Sequence, residues 1–109
     1  MDNFKQTRLH PDILKAITEM GFETPTPIQA KTIPHLMASA HDLIATAQTG
    51  TGKTAAFGLP SIHLTDIEDR STQTLVLCPT RELCIQITKD LDNFSKYING
   101  MNILAVYGG

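Results

Sequence analysis

An eight-residue stretch near the middle of the chain has the residue types and spacing of a phosphate-binding loop: Ala47-Gln48-Thr49-Gly50-Thr51-Gly52-Lys53-Thr54. It follows a short apolar run, Leu43-Ile44-Ala45, and precedes Ala55-Ala56-Phe57, which favours a helix. This strand–loop–helix context is what the motif requires. Gly50 and Gly52 let the backbone approach a phosphate closely. We therefore expect backbone N–H groups at the start of the helix to bind phosphate oxygens.

The last two residues of the loop, Lys53 and Thr54, carry the side chains that phosphoryl chemistry needs. We expect the Lys53 ammonium to lie on the β- and γ-phosphates of a nucleotide and the Thr54 hydroxyl to be a ligand of Mg²⁺. The strict pattern begins with Gly, and Ala47 stands in that place. A glycine-rich turn that binds nothing is the alternative interpretation.

Composition limits the classes of protein that the chain can represent. Its 109 residues, 41% apolar and 18% charged, suit one small globular domain with a core. The net charge of -2 excludes a broadly basic surface, so any contact with nucleic acid must be local. No apolar run is long enough to span a membrane. Two cysteines, Cys78 and Cys84, interpreted as packing residues, are typical of a reduced cytoplasmic protein.

The chain begins with the patterns of two helices. The first should start at Pro11 and stop at Gly21, which suits a helix C-terminus. Thr26-Pro27-Ile28-Gln29 has the form of a capping box and should start the second helix. We expect Pro34 to break or kink that helix after two turns.

Three apolar runs then alternate with helical patterns. The strands are predicted at 43–46, 74–78 and 103–106, and the helices between them should begin near Gly52 and Arg81. Continuous apolar runs are typical of a parallel sheet covered on both faces. The order of two helices followed by β-α-β-α-β predicts an α/β fold, with a parallel sheet flanked by helices.

Four motifs, taken together, resemble the start of a DEAD-box ATP-dependent RNA helicase. The segment Gly21–Gln29 is similar to the Q motif of that family, and Phe4 stands seventeen residues before Gly21, where the family has an isolated aromatic residue. Ala47–Thr54 is similar to motif I, Pro79–Leu83 to motif Ia, and Gly108-Gly109 to the GG motif. The resemblance covers nearly the whole chain.

The resemblance implies an arrangement of the chain. Residues 1–39 would form an N-terminal helical segment with the Q motif, and residues 40–109 the first part of a RecA-like P-loop domain. The Asp-Glu-Ala-Asp and Ser-Ala-Thr segments of the family are absent from these residues, as is the second RecA-like domain. We therefore expect this chain alone not to hydrolyse ATP.

The resemblance also implies ATP or ADP, with Mg²⁺, as cofactors. Phe4 would stack on the adenine, and Gln29 would form paired hydrogen bonds to its N6 and N7. The alternative for Gln29 is capping alone, which gives no base preference. The other nucleotide-binding positions that the resemblance implies are Phe22, Thr24, Pro27, Gln48, Thr49, Gly50, Thr51, Gly52, Lys53, Thr54 and Ala55.

A contact with single-stranded RNA backbone is implied for the full-length protein at the positions Pro79, Thr80, Arg81, Gly108 and Gly109. Thr80 and Arg81 stand where a strand ends and a helix begins, which favours anion binding. The alternative is an ordinary helix cap by Thr80 and a solvated Arg81.

Two other function classes stay open at this point. One is a different P-loop enzyme, such as a small kinase; a GTPase would need an Asn-Lys-x-Asp segment, which is absent. The other is a self-associating fragment without useful nucleotide affinity. In the DEAD-box family the strands at 43–46 and 75–78 are separated by strands from later sequence. Their unpaired edges predict a homo-oligomer or a marginally stable fold.

Overall fold

The computed structural model describes residues 3–38, 42–45 and 51–108. Within these ranges the chain forms one short 3₁₀ helix, Phe4–Thr7, and four α-helices. The α-helices are α1 (Pro11–Glu19), α2 (Pro27–Ala38), α3 (Thr51–Leu64) and α4 (Arg81–Phe94). No helix in the described part of the chain has the length and apolarity needed to cross a bilayer.

The boundaries of α1 follow from local side-chain chemistry. His10 precedes the helix, and its Nδ1 accepts a hydrogen bond from the backbone N–H of Asp12 at 3.0 Å. Pro11 occupies the first helical position, where its missing N–H costs nothing. Gly21 follows the helix with a φ of +88°, a left-handed conformation that glycine adopts without strain. The helix predicted from Pro11 to Gly21 is confirmed.

Helix α2 does not break at Pro34. The prediction was a break or a kink; the helix runs from Pro27 to Ala38 with Pro34 inside it, so the break is wrong and the kink stays a prediction. A proline removes one intrahelical hydrogen bond, but α2 packs along α3, and tertiary packing contributes most of the stability of a helix. Helix α3 contains Pro60 in the same way.

All four helices contribute to a single core. The fully buried side chains include Ile13, Ile33, Leu59 and Phe94, one from each helix. Each such burial contributes about 1.5–3 kcal/mol relative to an exposed side chain. Because the core includes residues from both sides of position 39, it joins the N-terminal helices to α3, which begins within the predicted phosphate-binding loop.

Helices α3 and α4 approach closely at Gly58. A Cβ atom at that position would lie 2.6 Å from the Leu91 Cδ2 atom, closer than real Cβ contacts allow. The side chain of Leu91 therefore fills the space that a larger residue at position 58 would need, and it would have to move to admit one.

The three apolar runs form no β-ladder within the described residues. No backbone hydrogen bond joins residues 42–45, 74–78 and 102–107 to one another. Along the second and third runs exposure alternates with a period of two, as in a strand with one covered face. The exposed members are Leu75, Leu77, Leu104 and Val106. The prediction of a parallel sheet is not confirmed, because a ladder requires a neighbouring strand to bond each N–H and C=O. Thr46 lies outside the described residues.

A histidine joins the end of α3 to the start of α1. The backbone N–H of His10 donates a hydrogen bond to Nδ1 of the half-buried His63 at 2.9 Å. Burial, and then the neighbouring charge of His10, lower the pKa of His63 below its ordinary value of 6.5. The neutral ring is therefore the form that the folded chain favours, because an Nδ1 atom that accepts a hydrogen bond carries no proton.

We predict that the free energy of unfolding decreases as the pH falls below about 6.5. In that range the unfolded chain binds a proton at His63 more readily than the folded chain does, so acid favours unfolding. The decrease in the free energy of unfolding should be a fraction of the roughly 1.4 kcal/mol per pH unit that the uptake of one full proton gives. Urea unfolding at a series of pH values between 7.5 and 5.5 measures it.

His63→Asn is the matched control, because its side-chain oxygen can accept from the same N–H but does not titrate. The difference in the free energy of unfolding between wild type and this variant should decrease as the pH falls. A difference that is constant across the pH range would show that His63 does not cause the pH dependence.

Candidate nucleotide and RNA site

Gln29 caps α2 through a reciprocal pair of hydrogen bonds with Thr26. Its Oε1 accepts from the Thr26 backbone N–H at 2.9 Å, and its own backbone N–H donates to Thr26 Oγ1 at 3.4 Å. The capping box predicted from the sequence is therefore present. The side chain is 3% exposed, and the bond from Thr26 sets which end of the amide is oxygen.

The same amide also reaches the start of α3. Gln29 Nε2 donates to the carbonyl oxygen of Gly52 at 3.3 Å. A Cβ atom at Gly52 would lie 3.6 Å from Thr26 Oγ1 and 3.7 Å from Gln29 Nε2, so the two segments are in contact. The amide keeps one lone pair on Oε1 and one hydrogen on Nε2 beyond these bonds. Capping and a further hydrogen-bonded partner are therefore compatible.

The first turn of α3 carries the predicted catalytic pair. Lys53 is exposed, Thr54 is 8% exposed and Ala55 is fully buried. The positive end of the helix dipole lies at this turn and favours a bound anion. The predicted loop residues Gln48, Thr49 and Gly50 lie outside the described residues, as does the side chain of Thr51.

Phe4 belongs to the core. Its side chain is 4% exposed, and its ring centroid lies 5.8 Å from that of Phe22, which in turn makes an edge contact with Phe94 at 6.0 Å. The backbone N–H of Phe4 donates to the carbonyl of Glu23 at 3.3 Å. This placement leaves little of the ring open for stacking on a base, so the adenine contact of Phe4 stays a prediction. Thr24 and Pro27, the first residue of α2, are both exposed.

A cleft of about 260 Å³ lies beside Phe4, on the side of α1. Its lining residues are Asn3, Phe4, Lys5, Leu14, Thr18, Phe22 and Glu23. Neither Gln29 nor Lys53 lines it. The cleft therefore does not connect the residue proposed to read the base with the residue proposed to bind phosphate.

The second group of predicted residues surrounds the start of α4. Thr80 is the N-cap, and its Oγ1 accepts from the Leu83 backbone N–H at 3.1 Å. Arg81 Nη2 donates to the carbonyl oxygen of Gly108 at 2.6 Å. The fold thus brings motif Ia and the described part of the GG motif together, and Pro79 and Arg81 are exposed. Gly109 lies outside the described residues.

Tyr107 also belongs to this group, and sequence reasoning missed it. The guanidinium carbon of Arg81 lies 5.3 Å from the centroid of the Tyr107 ring, within the range of a cation–π contact. The available signal was an aromatic residue directly before Gly108, but nothing in the local sequence connects it with Arg81.

The two cysteines flank motif Ia. Both are free and half-buried, where the sequence analysis expected buried packing residues. Burial, and then the neighbouring Cys84 thiol, raise the pKa of Cys78. A thiol with a raised pKa is a weak nucleophile at neutral pH. Among the described residues no cluster of His, Cys, Asp and Glu could hold a metal ion.

We predict that Gln29→Ala lowers the free energy of unfolding by about 1–3 kcal/mol, because it leaves the Thr26 N–H and the Gly52 carbonyl without their partner. Thr26→Ala should cost only about 1 kcal/mol, since it removes one capping acceptor and keeps both bonds of the Gln29 amide. Urea unfolding followed by circular dichroism measures both values. Equal losses in the two variants would show that the bond to Gly52 contributes nothing.

Comparison with known proteins gives one consistent family. The family model described as DEAD/DEAH box helicase matches residues 26–109. An ATP-dependent RNA helicase DeaD of Klebsiella pneumoniae is 49% identical over 106 residues, which are 97% of this chain and 16% of that protein. An ATP-dependent RNA helicase CshA of Listeria monocytogenes is 51% identical over 109 residues, which are 100% of this chain and 21% of that protein.

A solved structure agrees with these relatives. S. cerevisiae Dbp5 bound to RNA and ADP BeF3 matches with a TM-score of 0.84 and 37% sequence identity, over 89% of this chain and 25% of that one. The chain thus spans about a fifth of the length of the relatives that it matches. The resemblance read from the four motifs is confirmed, and the chain belongs to the DEAD/DEAH box helicase family.

Proposed function

We propose that this chain is the nucleotide-binding N-terminal part of an ATP-dependent RNA helicase and that it binds ATP or ADP with Mg²⁺. The observation that carries the proposal is the hydrogen bond from Gln29 Nε2 to the Gly52 carbonyl. It places a buried amide next to the helical turn that carries Lys53 and Thr54. Dbp5, a structural relative at 37% sequence identity, was solved bound to RNA and ADP BeF3.

Gln29 distinguishes adenine from guanine by its hydrogen bonds to the base. Its amide orientation is set by Thr26, and the remaining Oε1 lone pair and Nε2 hydrogen match the N6 donor and N7 acceptor of adenine. Guanine presents an O6 acceptor where adenine has its donor, so one of the two bonds is replaced by a repulsive contact. Phe22, Thr24 and Pro27 belong to the same segment, Gly21–Gln29, and Phe4 lies in the preceding 3₁₀ helix; these four residues form the rest of the proposed base site.

Lys53 and Thr54 take the phosphate end of the nucleotide. The exposed ammonium of Lys53 and the backbone N–H groups at the start of α3 suit an anion. The Thr54 hydroxyl would hold Mg²⁺, which neutralises charge on the phosphates. Because these 109 residues include no Asp-Glu-Ala-Asp segment, the chain alone lacks the groups that position an attacking water, and hydrolysis is not expected from it.

The exposed group around Arg81 takes single-stranded RNA backbone. The contact between Arg81 and Gly108 supports this, because it places a cation beside backbone groups of a second segment. The proposed contact with the RNA backbone also includes Pro79, Thr80 and Gly109. Few phosphates can be reached, so the affinity should be low and should decline steeply with salt.

The RecA-like sheet and the division of the chain near residue 39 also belong to the proposal. The alternating exposure at 75–78 and 103–106 supports strands that pair with further polypeptide. A cytoplasmic location stays a prediction from the two cysteines.

We predict that the chain binds ADP and ATP more tightly than GDP and GTP by about 1–3 kcal/mol, because guanine leaves the buried Gln29 amide poorly matched. Isothermal titration calorimetry with the four nucleotides measures the difference. Thr26→Ala is the matched control: it weakens the cap but keeps the Gln29 amide, so the preference for adenine should persist. Equal affinities for the two bases in the wild-type chain would refute the role of Gln29.

Lys53→Ala separates the two ends of the nucleotide site in the same titration. It should weaken the binding of ATP more than that of adenosine, because it removes only a phosphate contact. An equal loss for both ligands would indicate a folding defect.

We propose in addition that the isolated chain self-associates. Large apolar side chains are exposed at its unpaired segments, with Ile44 95% exposed and Leu77 and Leu104 each 84% exposed. Contiguous apolar surface and free backbone groups both favour association.

We expect a mass above that of the monomer, increasing with concentration, together with a melting temperature that depends on concentration. Light scattering over a dilution series and thermal melting measure these quantities. A compact monomer with a sharp transition that does not depend on concentration would refute self-association.

A further inference from the structure

We infer that Tyr107 is a positioning residue that orients the Arg81 guanidinium toward the RNA backbone. The inference rests on the proposed RNA contact at motif Ia, and it adds a residue that the motifs do not include. Two contacts carry the inference, and both join the Arg81 side chain to a segment about 27 residues later in the chain. One contact is to the Gly108 carbonyl and the other is to the Tyr107 ring.

The two contacts restrain different motions of Arg81. The 2.6 Å bond from Nη2 to the Gly108 carbonyl holds one edge of the guanidinium. The Tyr107 ring, 5.3 Å from the guanidinium carbon, covers one region of its surface. An exposed arginine held by neither would distribute over many rotamers and would lose that freedom on binding. Because the two contacts form before RNA binds, they reduce the entropic cost of ordering Arg81 on binding.

Arg81 keeps enough donors to bind a phosphate while both contacts persist. A guanidinium has five N–H groups, and the bond to Gly108 uses one of them. The others include a pair that can bind two phosphate oxygens together. Thr80, the neighbouring residue, already uses its hydroxyl oxygen as acceptor for the Leu83 N–H. Thr80 carries no charge, so Arg81 supplies the positive charge that the proposed phosphate contact needs, and Tyr107 and Gly108 restrain its direction.

Tyr107 itself is half exposed, at 50%, so it is not held as a core residue. Its replacement should therefore change the site more than the stability of the fold. The substitution Tyr107→Phe keeps the ring and loses the hydroxyl, and Tyr107→Leu keeps apolar bulk and loses the ring. This pair separates the contact between the cation and the ring from other contributions of the side chain.

The experiment measures the affinity of the full 109-residue chain for a fluorescent single-stranded oligoribonucleotide by anisotropy at low salt. We expect Arg81→Ala to weaken binding about tenfold and Tyr107→Leu about threefold to fivefold, with Tyr107→Phe within about twofold of wild type. In the Arg81→Ala background, Tyr107→Leu should have no further effect, because the group that it orients is gone.

The outcomes distinguish this inference from the proposal beneath it. A Tyr107→Leu affinity equal to wild type, with Arg81→Ala weakened, would overturn the positioning role and leave the RNA contact standing. The same conclusion follows if Tyr107→Leu weakens binding equally in both backgrounds, or if Tyr107→Phe loses as much as Tyr107→Leu. No binding by wild type, or no effect of Arg81→Ala, would overturn the proposed RNA contact and this inference with it.

Discussion

The side chain of Gln29 joins the start of α2 to the start of α3, and the candidate nucleotide site depends on that link. The amide is buried, and a buried amide without partners is costly. It obtains them from the Thr26 N–H on its own helix and from the Gly52 carbonyl on the next. The same pair of bonds thus stabilises a helix end, orients the amide and connects the Q motif with the phosphate loop. The rest of the core supports this contact by holding α2 against α3.

The chain combines a well-packed helical part with apolar segments that have no partner. A helix satisfies its backbone hydrogen bonds within itself, so α1 to α4 need only a shared core in which to bury one face. A strand obtains its hydrogen bonds from a neighbour, and the described parts of the three apolar runs have none in this chain. The relatives are about five times longer, and the alternating exposure of the second and third runs suits segments that further polypeptide covers in such a protein.

The proposed RNA contact depends on the local charge of Arg81. The net charge of the chain is -2, so no general attraction for nucleic acid exists. In the proposed RNA contact Arg81 supplies a local positive charge: it lies on the first turn of α4, after the helix cap at Thr80, and one of its N–H groups donates to the Gly108 carbonyl. In both candidate sites, a side chain at the start of a helix contacts residues of a distant segment.

The sequence by itself determined the family, the starts of the helices and the capping box. The four motifs, the start of α1 at Pro11 and the start of α4 at Arg81 are local patterns, and nearest-neighbour chemistry decides them. Only the tertiary structure decided that α2 continues through Pro34, that Phe4 enters the core, and that the apolar runs lack a ladder. It also decided that Gln29 meets Gly52 and that Arg81 meets Tyr107 and Gly108. The contacts of Gln29 and Arg81 join segments more than 20 residues apart. No local pattern contains the packing that brings distant segments together.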